Sequence, residues 1–100
     1  MVHLAAFTPR QRHESLVALS DEWTQLDVRV QDLRKEPPAH VTVDWIRRRQ
    51  AAIRRTMIET PAATMAGVGA KHRIATAQNE TLDEELLESA ENDVVRLVYG

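Results

Sequence analysis

Residues 16–33 read LVALSDEWTQLDVRVQDL, and the apolar side chains in this stretch decide the fold class. Leu16, Leu19, Trp23, Leu26, Val30 and Leu33 recur at spacings of three and four, with no Gly or Pro among them. That period matches the 3.6 residues of a helical turn, not the alternation of a half-buried strand. It also repeats as a heptad, the pattern by which helices associate side by side. Charges of both signs, Glu22, Asp27, Arg29 and Arg34, flank the seam.

Working outward, Thr8-Pro9 supplies a helix start, because Thr caps well and Pro is tolerated at the first helical position. Pro37-Pro38 stops the helix near residue 35. The first helix is therefore expected over about 9–35. A second, over about 43–59, carries Ile46, Ile53 and Met57 on one face with Gln50 between them. Trp45, Ala52 and Thr56 widen its partly buried side, and Thr60-Pro61 ends it. A third, over about 62–78, turns Met65, Val68 and His72 or Ile74 inward. A fourth, over about 82–98, opens on Thr81-Leu82-Asp83-Glu84, which has capping-box spacing. Its stripe is Leu82, Leu86, Ala90, Val94 and Leu97, with Leu87 and Val98 beside it.

These segments predict an all-α protein: an elongated antiparallel helical hairpin plus two shorter helices, in a single helical domain over 1–100. The composition agrees, being rich in Ala, Leu, Val, Glu and Arg and holding only four aromatic residues. A first helix of about 40 Å is long for a chain whose compact radius of gyration would be about 13 Å. Either the protein is elongated, or part of the seam is buried in a second copy. The expectation is a homo-oligomer, most simply a dimer, associating through Leu16, Leu19, Trp23, Leu26, Val30 and Leu33.

Charge is segmented along the chain. The net charge is −2 over residues 1–45, +6 over 46–73 and −6 over 74–100. Arg47, Arg48, Arg54, Arg55, Lys71 and Arg73 form a basic group that could contact a partner or nucleic-acid phosphates. No aromatic residues interleave with them, and the acidic fourth helix offers an internal counter-charge of equal size. Internal pairing is therefore the leading expectation.

Catalytic and cofactor chemistry finds little support. The chain has no cysteine, hence no disulfide, thiolate metal site or Cys nucleophile. His3, His13, His40 and His72 are scattered and lack the Glu-x-x-His pairs of a bundle metal site; His72 reads as a half-buried polar residue. Ser15, Ser20 and Ser89 have no nucleophile-elbow context. Gly67-Val68-Gly69-Ala70-Lys71 fails as a phosphate loop, because the spacing, the following hydroxyl and the preceding strand are all missing. Small residues at Ala62, Ala66 and Ala70, and at Ala63 and Gly67, read instead as a face for close helix packing. No metal, cofactor or catalytic residue is expected. The N-terminal MVHLAAFTPRQ lacks a basic lead-in, and no window is long enough to span a bilayer. A soluble, cytoplasmic protein without membrane contact is the expectation.

Residues 58–71, Ile-Glu-Thr-Pro-Ala-Ala-Thr-Met-Ala-Gly-Val-Gly-Ala-Lys, resemble a recurring I-E-x-T-P-A-T-T-L-A-G-V-x-A-K segment of small uncharacterised bacterial proteins. Those proteins also finish on a helix similar to Leu86–Leu97. This chain departs from the pattern at Ala63, Met65 and Gly69. The resemblance implies a small helical protein of the kind met in prophage and other mobile elements, and it transfers no activity or ligand. The function expected is a non-catalytic protein-interaction or structural adaptor role. The second reading is a nucleic-acid-associated regulator acting through the arginine-rich face of the second helix.

Overall fold

A computed structural model describes residues 9–35, 40–78 and 81–100, with side chains from 15 onward in the first helix and from 42 onward in the second. The elements are α1 (Pro9–Leu33), α2 (His40–Glu59), α3 (Met65–Ala75) and α4 (Glu84–Tyr99), and there is no strand among the described residues. The all-α expectation holds, with two long helices followed by two shorter ones. The expected cap at Thr8, the stop at Pro37-Pro38 and the side chains of His3, His13 and His40 lie outside the described residues.

Side-chain ladders give the topology. Asp27 pairs with Arg47 and the Trp23 carbonyl with Gln50, so α1 and α2 run antiparallel. Lys71 reaches Ser89 and Asp93, and the Asp83 amide donates to the Ala75 carbonyl, so α3 and α4 are antiparallel too. Leu16 lies against Gly67 and Asp21 against Arg73, which sets α3 alongside α1. Arg54 with Asp83 and Ser89 with the Ile58 carbonyl set α4 alongside α2. The result is an up-down-up-down arrangement with the α1–α2 hairpin laid over the α3–α4 hairpin. Its extents are 49 × 40 × 16 Å and its radius of gyration is 15.3 Å, above the roughly 13 Å of a compact chain this long. The molecule is a flattened slab.

The core runs through the middle of that slab. Leu16, Trp23, Ile53, Met57, Val68, Ile74, Leu86 and Ala90 form it, with Ala62, Ala70 and Ala75 where backbones draw close. Each fully buried aliphatic such as Leu16 or Ile53 contributes about 1.5–3 kcal/mol by leaving water. On α2, Ile46, Gln50, Ile53 and Met57 are all buried, as their spacing predicts. Gln50 is accommodated because its amide donates to the Trp23 carbonyl at 3.1 Å while its oxygen accepts from Arg47 at 2.6 Å.

Several expectations are corrected. Helix α3 starts at Met65, after Thr64 in extended conformation, not at residue 62. Helix α4 is capped by Asp83, whose carboxylate accepts from the Leu86 amide at 3.2 Å; Thr81 is not the cap. Leu82 and Val98 are exposed and leave the α4 stripe to Leu86, Leu87, Ala90, Val94 and Leu97. Trp45 is 68% exposed instead of partly buried. Ala52 and Thr56 are exposed, as are Met65 and His72 on α3.

Candidate functional site

The six seam residues divide. Leu16, Trp23 and Val30, seven apart, are buried inside this chain at 0%, 8% and 0% exposure. Leu19, Leu26 and Leu33, also seven apart, lie on the edge of the stripe and are only half buried. The first set therefore cannot meet a second copy while the fold is closed, and Leu19 and Leu26 of the second pack, partly buried, against the same core.

Arg47 and Arg49 show which way that edge faces. They stand on opposite shoulders of the buried Ile46–Gln50–Ile53–Met57 line, at about 100° of helix per residue. The Arg47 shoulder is shared by Arg54, which pairs with Asp83 and Glu85 of the α3–α4 layer. The Arg49 shoulder is shared by Trp45, Ala52 and Thr56, all exposed. Arg49 donates to both carboxylate oxygens of Glu22, at 2.7 and 2.9 Å. On α1, Glu22 belongs with Leu19, Leu26, Arg29 and Leu33. The Arg49 shoulder of the hairpin thus carries an exposed indole and charges of both signs, while Leu19 and Leu26 pack, partly buried, on the core. Arg49's hydrogen bonds hold the Glu22 carboxyl below the usual carboxylate range, against a small opposing cost of burial.

Most of the basic group looks inward or sideways to acids of the same chain. Arg47 pairs with Asp27 at 2.9 Å. Arg54 pairs with Asp83 at 2.5 Å and with Glu85 at 2.9 Å, while Arg55 lies 4.0 Å from Glu85. Arg73 pairs with Asp21 at 3.2 Å. Only Arg48 of the six expected contact residues has no acidic partner among the described residues. The stripe that would neutralise phosphates is already largely neutralised within the fold. Arg54 is held more firmly protonated by its hydrogen bonds to Asp83, and it in turn keeps the Asp83 carboxyl below its usual range, with the Leu86 amide adding to the effect.

Lys71 was expected at a surface beside the arginines and is instead fully buried, at 0% exposure. Its ammonium donates to Asp93 Oδ2 at 2.5 Å and to Ser89 Oγ at 3.0 Å. Ser89 passes a hydrogen bond of 3.3 Å to the Ile58 carbonyl, and Asp93 Oδ1 accepts from Arg96 at 3.1 Å. Arg96 also donates to the Ala62 carbonyl. This network joins the end of α2, the 60–64 connection, α3 and α4. A Ser–Lys pair can serve nucleophilic catalysis when the amine is free to take the hydroxyl proton. Here the amine is closed off from solvent and engaged by a carboxylate, and the hydroxyl is turned to a backbone carbonyl, so the arrangement acts as a fastening. Sequence reasoning missed it, although a signal was present: Asp93 is the lone acid on the Leu86–Ala90–Leu97 stripe, and Lys71 the lone base among Gly67, Val68, Ala70 and Ile74.

Other concave features carry less. A cleft of about 340 Å³, open to solvent, is lined by Trp23, Gln50, Arg54, Ile74, Leu82 and Asp83 among others. Its ionisable groups are already paired with each other or with Asp27 and Glu85, so none converges unpaired on a ligand position. Among the described residues no three His, Asp or Glu side chains gather to hold a metal, and no helix is long and apolar enough to cross a membrane. Compared with protein-family models, curated proteins and solved structures, the chain finds no match in any of the three.

Proposed function

We propose that this chain is a non-catalytic interaction module that self-associates through the outer face of the α1–α2 hairpin. The observation that carries the reading is Trp45, 68% exposed, on the shoulder of α2 that turns away from the α3–α4 layer. A large aromatic with one apolar body and one polar edge is the residue type most enriched at interface hot spots. Beside it, Glu22 and Arg49 supply both signs of charge. A surface of that kind can complement a copy of itself, as a two-fold interface requires. The nucleic-acid reading ranks second because the arginines it needs are engaged by Asp27, Glu85, Asp83 and Asp21.

In this reading the small residues of 58–71 close the corner that braces the hairpin from below. The resembling segment of small bacterial proteins would do the same there. The test is sedimentation at micromolar concentration. A dimer mass that falls to the monomer in Trp45→Ala, with helical content unchanged, supports the proposal. A monomer mass for the unaltered chain sinks it.

A further inference from the structure

We infer that the second copy lies antiparallel on the first, α2 against α2, with Arg48 of each meeting Glu59 of the other. The inference rests on the self-association reading above and specifies its geometry. Arg48 and Glu59 stand about three helical turns apart, so they fall within about 20° of each other on one face of α2. Both are exposed, and neither has a charged partner among the described residues. Between them on that face lies Ala52, exposed and small enough to let another helix draw close. In a two-fold interface residue i meets j and j meets i. A face that carries one unpaired cation and one unpaired anion three turns apart meets that condition with itself, twice, when the helices run in opposite directions.

Charge chooses between this and the parallel alternative. Parallel pairing would set Arg48 on Arg48 and Glu59 on Glu59, and like charges face to face work against association. The other arginines of the open side are drawn to its flanks. Arg49 is engaged by Glu22 of α1, and Arg55 lies 4.0 Å from Glu85 of α4. Antiparallel pairing of Arg48 with Glu59 sets the two-fold axis level with the Ile53–Arg54 peptide, so Ala52 comes within about 2 Å of rise of the axis. Trp45 precedes Arg48 by three residues. In the same register it comes within one residue of level with the partner's Pro61, which is exposed. The indole is thereby covered at the corner that ends the partner's α2.

The chain contains no cysteine, so introduced thiols report without background. Under mild oxidation Ala52→Cys is expected to link to itself. The two copies of residue 48 lie about 16 Å apart along the helices in this register, as do the two copies of residue 59. Arg48→Cys and Glu59→Cys are therefore each expected to stay unlinked alone and to link when mixed. Self-linking of Arg48→Cys and of Glu59→Cys without mixed linking would overturn the antiparallel geometry while leaving self-association standing. The second measurement uses charge. Arg48→Glu alone and Glu59→Arg alone should each weaken the dimer, by about tenfold for two opposed like-charge contacts. An equimolar mixture of the two variants should regain it, because both junctions then join opposite charges. Unaltered or tighter association of Glu59→Arg would overturn the pairing and point to an acidic face, such as Glu84, Glu88 and Glu91 of α4, as the one that meets Arg48. A monomer mass for the unaltered chain would overturn the reading beneath it.

Discussion

Lys71 Nζ lies 2.5 Å from Asp93 Oδ2, and both side chains are closed off from solvent. A buried ion pair is costly to break and often neutral to replace, because removing one member strands an uncompensated charge while removing both does not. Lys71→Met and Asp93→Leu are each expected to destabilise the fold by about 3–5 kcal/mol. The double variant Lys71→Met/Asp93→Leu should recover most of that loss. Urea denaturation of the four proteins measures the coupling; additive losses would show that the two groups act independently.

The two glycines of α3 should respond in opposite ways. A Cβ at Gly69 would meet nothing within 4 Å, and the residue sits inside a helix, where Gly is about 1 kcal/mol worse than Ala. Gly69→Ala should therefore stabilise by about 1 kcal/mol, raising the thermal midpoint by about 4–8 °C for a domain of this size. A Cβ at Gly67 would lie 3.1 Å from both the Ala62 Cβ and the Leu16 Cδ1. Leu16 is fully buried and has little room to move, so Gly67→Ala should show no gain in the same thermal scan.

Acid should loosen the junction of α2 with α4. Arg54's hydrogen bonds depress the Asp83 carboxyl below its usual 3.8, so the fold favours the ionised form. The resulting stability is complete above that unfolded value and is lost as pH falls through the lower, folded one. Arg54→Ala should let Asp83 titrate closer to 3.8 and move acid unfolding to higher pH. Carboxyl titration by NMR reads the first effect and circular dichroism the second. Arg48→Ala, which removes no described pair, should change neither.

The tryptophans differ enough to be separated. Trp23 is 8% exposed and Trp45 is 68% exposed. In Trp23→Phe the remaining emission should be that of a hydrated indole in dilute solution and shift to the blue as concentration rises, as Trp45 becomes covered. In Trp45→Phe the emission should be blue-shifted throughout and insensitive to concentration. A Trp45 signal that does not change with concentration would count against its place at the interface.

How much of this was legible depended on the range over which the deciding information lies. Ile46, Gln50, Ile53 and Met57 are buried together because one helix carries them all, and a window of twelve residues holds the whole pattern. The cap of α4 needed more. Thr81 and Asp83 both offer an oxygen to a helix start, and Asp83 is where Arg54, 29 residues earlier, also donates. The Lys71 pair is of the same kind, since its partner sits 22 residues on in another helix. Trp45 misled because an indole reads as core by composition, whereas its shoulder of α2 is turned away from the α3–α4 layer. In the sequence the seam is one uninterrupted stripe. The packing of both α2 and α3 on α1 buries Leu16, Trp23 and Val30 fully and leaves Leu19 and Leu26 partly covered.

The separations of these contacts also set an order of assembly. Lys71 meets Ser89 and Asp93 across 18 and 22 residues, whereas Arg73 meets Asp21 across 52. Asp27 meets Arg47 across only 20 residues, and closing the shorter loops costs less chain entropy, so both hairpins are expected to form before α1 docks on α3. During that interval Leu16, Trp23 and Val30 of α1 lie open. A neighbouring molecule's hairpin presents the same cradle at Gly67 as the chain's own. Refolding at high concentration should therefore yield copies that have exchanged the α1–α2 hairpin, detectable as dimers that persist on dilution. Refolding at low concentration should yield none.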